Sequence, residues 1–304
     1  MLKDLHSMMK VGIVQFMAYP ATIGGDGPII ETISKIATDD FFGAIEVTRI
    51  NDPEIRGKAG TILHHSRLAV GFGAQPVQLG NKLNLNSFDA QERSNAVTRI
   101  KELLEQAYQV GAKNLALLSG RDPGDLQRPA ALELLVASLT DICSYAQEKF
   151  GLGIILEVFD RDVDKCCLIG STGDAVKVAE GVKKVCSNFG LMIDLSHLPQ
   201  QRETARESLT IAKDHLVHVH IGNCITKHNN HPAYGDQHPR FGIAEGDVDV
   251  PELTEFLKVL LDIGYLRDND PRVVAFEVRP MQGEEPDLII ANAKRTLREA
   301  WARL

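Results

Sequence analysis

No apolar run in the 304-residue sequence approaches the roughly 20 residues needed to span a bilayer, and its opening MLKDLHSMMK lacks the apolar core of a signal peptide. A cytoplasmic protein with no membrane partner is the resulting expectation. Basic residues are in deficit, since 33 Lys and Arg stand against 41 Asp and Glu for a formal charge of −8. Nucleic-acid backbones are bound by clustered Lys and Arg, so this balance argues against a nucleic-acid partner. The five cysteines are odd in number and form no C-x-x-C pair, which leaves neither a disulfide framework nor a zinc knuckle. The adjacent Cys166 and Cys167 have no base near them in sequence and read as inert thiols. The glycine-rich IGGDGP around Gly24 lacks the lysine and spacing of a phosphate loop, and no organic cofactor is expected. Pro- or Ser-rich linkers are missing too, so residues 1–304 read as one domain.

What is present is a regular alternation. Short β-rich runs begin VGIVQFM at Val11, AIEVTRI at Ala44, RLAVGFG at Arg67 and NLALLSG at Asn114. They continue with GIILEVFD at Gly153, LMIDLSH at Leu191, LVHVHIGN at Leu216 and VVAFEVRP at Val273. Between them lie stretches of helical periodicity such as AVTRIKELLEQAYQVG and DAVKVAEGVKKVCSNFG, both closing on the glycine expected at a helix end. Strands separated by helices form right-handed βαβ units with a parallel sheet. Eight such units predict an α/β fold closed as a (β/α)8 TIM barrel, with a doubly wound open sheet as the alternative. The long polar connection from Cys224 to Asp249 follows a strand. It therefore belongs at the C-terminal mouth, where it reads as a lid.

Each of the last four strands carries an ionisable residue near its C-terminal end: Glu157, Asp194, His220 and Glu277. Side chains alternate along a strand, so all four can point into the mouth of the barrel. Three carboxylates and one imidazole make a hard, oxygen-rich set suited to one divalent metal, Mn²⁺ first, with Mg²⁺, Co²⁺ and Zn²⁺ also compatible. His218 falls one layer below His220 and reads as a hydrogen-bonded residue orienting the ligands. Glu46 on the second strand faces inward, and both substrate contact and structural pairing remain open for it. Arg279, two residues past Glu277, shares the inward face. It can clamp an anionic substrate or brace the mouth by pairing with an acid. Arg161 and Lys165 in DRDVDK follow the fifth strand and can reach inward or stay in solvent.

The segments ILEVFD, MIDLSH, HVHIGN and AFEVRP resemble the xylose-isomerase-like superfamily, which includes sugar phosphate isomerases, ketose 3-epimerases, inosose dehydratases and endonuclease IV. The most specific pieces are the Asp-x-x-His of Asp194 and His197 and the His-x-His of His218 and His220. The likeness runs from about Gly153 onward, with the first half matching as barrel pattern only. It implies that Glu157, Asp194, His220 and Glu277 hold the metal, that His197 contacts substrate, and that Glu157 and Glu277 exchange protons beside a substrate carbonyl. The pair Asp236 and His238 resembles the Asp-x-His of an additional zinc in endonuclease IV. The fourth strand ends LLSGRDPG without the histidine that enzyme uses, and Asp236 and His238 are assigned to substrate binding instead. Related enzymes form dimers or tetramers, so a homo-oligomer is expected.

Two positions depart from the ketose 3-epimerase pattern. Thr226 stands six residues after His220 in place of an arginine, and Val163 six residues after Glu157 in place of a glutamate. The expectation is therefore a metal-dependent isomerase or epimerase of a small sugar or sugar-derived keto compound, working through Glu157 and Glu277. A metal-dependent lyase is the alternative, either a dehydratase or a β-keto acid decarboxylase. An endonuclease IV-like nuclease and a non-catalytic sugar-binding protein rank behind.

Overall fold

A computed structural model describes residues 3–304. Eight parallel strands are present, each within a few residues of its expected place. They are β1 (Met9–Ile13), β2 (Ala44–Val47), β3 (Ala69–Gly73), β4 (Asn114–Leu117), β5 (Gly153–Glu157), β6 (Phe189–Asp194), β7 (Leu216–Ile221) and β8 (Arg272–Phe276). Each is followed by a helix: α1 (Ile29–Ala37), α2 (Pro53–Ser66), α3 (Ala90–Gln109), α4 (Arg128–Phe150), α5 (Thr172–Lys183), α6 (Ala205–Ala212), α7 (Val250–Asp262) and α8 (Pro286–Ala302). The strands pair in sequence order from β2 round to β8, and β8 pairs with β1. Between β1 and β2 the circuit is completed by one bridge, Val14 to Glu46, and by the Gly43 amide donating to Val11 O at 2.8 Å. The fold is a single-domain TIM barrel, and none of its described helices is long and apolar enough to cross a membrane.

Local chemistry sets the helix starts. Asp52 and Asp89 each accept two amide N–H groups from the first turns of α2 and α3. Thr204 with Glu207, and Asp249 with Glu252, form capping boxes at α6 and α7. The expected glycine stop holds for α3, where Gly111 adopts a φ of 82°, but not for α5. That helix ends at Lys183, and Gly190 lies inside β6. A Cβ on Gly190 would meet Val217 Cγ2 at 2.4 Å, so the glycine serves strand packing there instead of helix termination.

The main hydrophobic core lies between the sheet and the helices. Inside the barrel the apolar content is small, with Ala116, Ile155 and Met192 as a separate cluster. Gly71 lies opposite Glu46 in the β2–β3 register, and Gly12 opposite Ala275 in β1–β8. This thin interior leaves room for polar side chains that most barrels fill with branched apolar ones.

Candidate metal centre

Glu157 is the last residue of β5, Asp194 the last of β6, His220 the fifth of β7, and Glu277 directly follows β8. Local backbone geometry aims each of them. Between β6 and β7 the pairing steps from Leu191–Leu216 to Met192–His218, so Val217 is an extra residue in β7. Beyond the bulge Asp194 pairs with His220. Asp194 also ends its strand as the cap of the 3-10 turn Leu195–His197. Its Oδ1 accepts the Ser196 amide at 2.7 Å, which leaves Oδ2 for the mouth.

His220 Nδ1 lies 2.7 Å from Glu277 Oε2, 3.8 Å from Glu157 Oε1 and 4.0 Å from Asp194 Oδ2. One donor atom from each of the four residues falls within 4.8 Å of the others. Glu157 Oε1 and Asp194 Oδ2 are buried and accept no hydrogen bond. A buried carboxylate oxygen without a donor is costly, and two of them converging beside an imidazole nitrogen fit a divalent cation. Without a cation the cluster has to be neutralised by protons. Burial and then the charge of Glu277 push the Glu157 carboxyl up to about 8. Burial disfavours charge on His220, but Glu46 and Glu277 outweigh it and hold the imidazole well above its usual value.

A second knot adjoins the first. Asp236 Oδ1 accepts from His197 Nε2 at 2.9 Å and from His238 Nε2 at 2.8 Å, while Lys165 Nζ sits 3.0 Å from its Oδ2. His197 Nδ1 in turn donates to Val158 O at 2.9 Å. Burial pushes Asp236 up, but His238, His197 and Lys165 together hold it well below the usual carboxylate range. His238 reaches the four-residue cluster, with Nε2 at 3.5 Å from Glu277 Oε1 and Nδ1 at 3.8 Å from Asp194 Oδ2. Burial lowers its pKa, but Glu277 and Asp236 outweigh that and carry it up to about 9. The Lys165 ammonium places a fixed cation beside Asp236, which disfavours an additional metal there.

The remaining expected residues divide. Lys165 reaches the mouth because Asp160, itself buried, gathers the Val163, Asp164 and Lys165 amides at 2.7–2.9 Å and folds the loop inward. Arg161 turns the other way, donating to Asp174 Oδ2 at 2.8 Å and to Leu168 O at 3.0 Å, so it takes no part in the site. Glu46 Oε1 accepts from His218 Nε2 at 2.8 Å and from His220 Nε2 at 2.9 Å. Arg279 lines the cavity, and among the described residues no carboxylate lies within ion-pair distance of it; its guanidinium donates to Gln237 Oε1 at 3.4 Å. Thr226 is tied to Asp247 away from the mouth.

The long connection after β7 is no free lid near the site. Asn223 accepts the Val248 amide and donates to Arg240 O, Ile225 bridges to Gly235, and the Asp236 amide donates to Asp164. These bonds hold the stretch that carries Asp236 and Gln237 against the barrel, where it forms a wall of the cavity. Exposure falls at the Lys227–Asn230 tip, at Pro232, and again at Gly242 and Ala244–Gly246.

Gln75 belongs to the site and was not foreseen. It follows β3, and its Nε2 donates to Glu157 Oε2 at 2.8 Å. An uncharged amide leaves no trace in a search for ionisable strand ends. The cavity holds about 170 Å³, well below the size of sites that take large cofactors. Val14, Phe16, Met17, Ile23, Pro76 and Leu79 form its apolar side.

Solved structures with this architecture include an L-ribulose 3-epimerase (15% identity, 97% of each chain covered, TM-score 0.72). The IOLI protein with a bound zinc atom matches at 17% identity, with 97% of this chain and 99% of that one covered and a TM-score of 0.72. A D-psicose 3-epimerase from Clostridium cellulolyticum H10, solved with D-tagatose, matches at 22% identity over 97% and 96% of the two chains, with a TM-score of 0.64. At such identities the likeness is one of fold. No curated protein matches the chain by sequence. The family model described as xylose isomerase-like TIM barrel matches residues 61–300, which takes in six of the eight strands and every residue of the two buried knots. With the barrel and that match in agreement, the chain belongs to the xylose isomerase-like TIM-barrel family.

Proposed function

We propose that this protein is a metal-dependent isomerase or epimerase of a small sugar or sugar-derived keto compound. The observation that carries the reading is the pair Glu157 and Glu277. Both belong to the candidate metal cluster, both line the cavity, and they stand on strands separated by β6 and β7. Glu157, Asp194, His220 and Glu277 would hold one divalent ion, Mn²⁺ by preference for a set of three carboxylates and one imidazole. Such an ion would polarise a substrate carbonyl and acidify the neighbouring C–H. One glutamate then takes the proton as general base while the other returns it from its own side of the substrate. Gln75 fixes one oxygen of Glu157 and leaves the other toward the cluster. Lys165, Asp236 and Gln237 line the cavity and present its polar wall for hydroxyl groups, with the expected His197 and His238 buried behind Asp236.

A lyase acting on a sugar acid is the second reading. Arg279 favours it, because a guanidinium at the cavity with no ion-pair partner among the described residues is suited to gripping a carboxylate. The test is proton NMR in D₂O with Mn²⁺-loaded and metal-free protein and a panel of ketoses, sugar phosphates and keto acids. Metal-dependent deuterium uptake beside the carbonyl with a new isomer supports the isomerase or epimerase reading. Loss of water or CO₂ moves the protein to the lyases, and a protein that binds no metal and changes no substrate sinks both.

A further inference from the structure

Among the described residues, Glu46 is a buried carboxylate that stands outside the four-residue cluster yet touches it through His220. We infer that Glu46 is a positioning residue. Its carboxylate accepts a hydrogen bond from the Nε2–H of His220 and so turns that ring's Nδ1 toward the metal position, while His218 anchors Glu46 from below. The inference rests on the metal reading above and deepens it.

The geometry is specific. Both imidazoles converge on one oxygen of Glu46, His218 Nε2 at 2.8 Å and His220 Nε2 at 2.9 Å. His220 thus has its two nitrogens committed in opposite directions, Nε2 to Glu46 and Nδ1 toward Glu277, Glu157 and Asp194. An imidazole bound to a metal through one nitrogen needs its other N–H held by an acceptor, which fixes tautomer and ring angle. The barrel also makes space for this arrangement. A Cβ at Gly71, directly across from Glu46, would lie 2.9 Å from Glu46 Cγ, so only glycine leaves the side chain its path. Beneath, a cavity of about 70 Å³ touches both Glu46 and His218, while Glu46 also forms part of the floor of the mouth cavity. A carboxylate and an imidazole occupy a level that apolar side chains could fill, at a cost that packing alone does not explain.

The experiment is Mn²⁺ titration by calorimetry of the full chain and its Glu46→Gln variant, with proton NMR of the Co²⁺-loaded forms. The expected result is about a 10- to 100-fold loss of Mn²⁺ affinity in Glu46→Gln. With it goes loss of a hyperfine-shifted, exchange-protected ring N–H that the wild type shows. His218→Gln keeps a donor for Glu46 and should retain most of the affinity, whereas His218→Leu should lose part of it. These two report on the same link if Glu46→Gln does not fold. Unchanged affinity and an unchanged protected N–H in Glu46→Gln overturn the inference and leave the metal reading standing. Two ions per wild-type chain falling to one in the variant overturn it in favour of a metal bound by Glu46 itself. A wild type that binds no Mn²⁺ removes both readings together.

Discussion

The two halves of the barrel meet the same cavity with opposite chemistry. From β5 to β8 every strand delivers a candidate ligand, and the segments after them add Lys165, Asp236, Gln237 and Arg279. From β1 to β3 the mouth receives Val14, Phe16, Met17, Ile23, Pro76 and Leu79, with Gln75 and Glu46 as its polar exceptions. One half is built to hold charge and move protons, and the other to shape the space and keep water away. The exceptions fit the division, since both hydrogen-bond to ligands supplied by the other half.

The strongest attempt to break this comparison is Glu277→Gln. Turnover should fall by about a hundredfold or more, with weaker metal retention, because a general acid–base group and a ligand are lost together. Full activity in that variant would remove Glu277 from the mechanism. Asp236→Asn should destabilise the protein by about 3–5 kcal/mol in denaturant melts, since two buried imidazoles and Lys165 lose their shared counter-charge. A melt within 1 kcal/mol of wild type would show that the knot is not held by charge. Arg279→Ala should raise KM about 10- to 100-fold for anionic substrates only, and an equal effect on neutral sugars would dismiss the clamp.

Acidity offers a subtler probe of the charged half. The folded-state values of Glu157, about 8, and His238, about 9, both lie above their ordinary ones. Their protonated forms therefore stabilise the metal-free protein. That contribution is complete below about 4.5 for Glu157 and about 6.5 for His238, and it is lost as pH rises through about 8 and about 9. Thermal melts of metal-free protein should decline over that window. Metal affinity should climb toward pH 8 by up to about tenfold per unit for each proton displaced; a flat profile would mean that Glu157 is already ionised. The smallest effect belongs to the other half: Leu79→Ala should raise KM a few-fold with metal affinity unchanged. Loss of the metal there would erase the distinction between the two sides.

How much of this was legible in the sequence follows from which features depend on parity alone. Glu157, Asp194, His220 and Glu277 could be found because strand ends and alternation place them without knowledge of the rest. Lys165 and Arg161 could not be separated, because the Asp160 turn that sends one inward and the other outward is a backbone event. Gln75 carried no charge to draw notice. The loop from Cys224 to Asp249 read as a lid because composition records polarity but not the partners that satisfy it. The strict alternation in LVHVHIGN concealed an irregularity altogether, although Leu216 packs in the outer core and His218 in the interior.

That irregularity separates chain length from function in an unexpected place. Val217 is accommodated beside the ladder, with its neighbours Leu216 and His218 paired to consecutive residues of β6. Its side chain is 43% exposed. Removing it would not shift the register of the histidines, because the ladder already counts as if it were missing. A single-residue deletion in a strand ordinarily flips every side chain beyond it to the other face; here it would leave Leu216 and His218 on the faces they already hold, at the cost of the Val217 contacts with Gly190 and the Tyr265 hydroxyl.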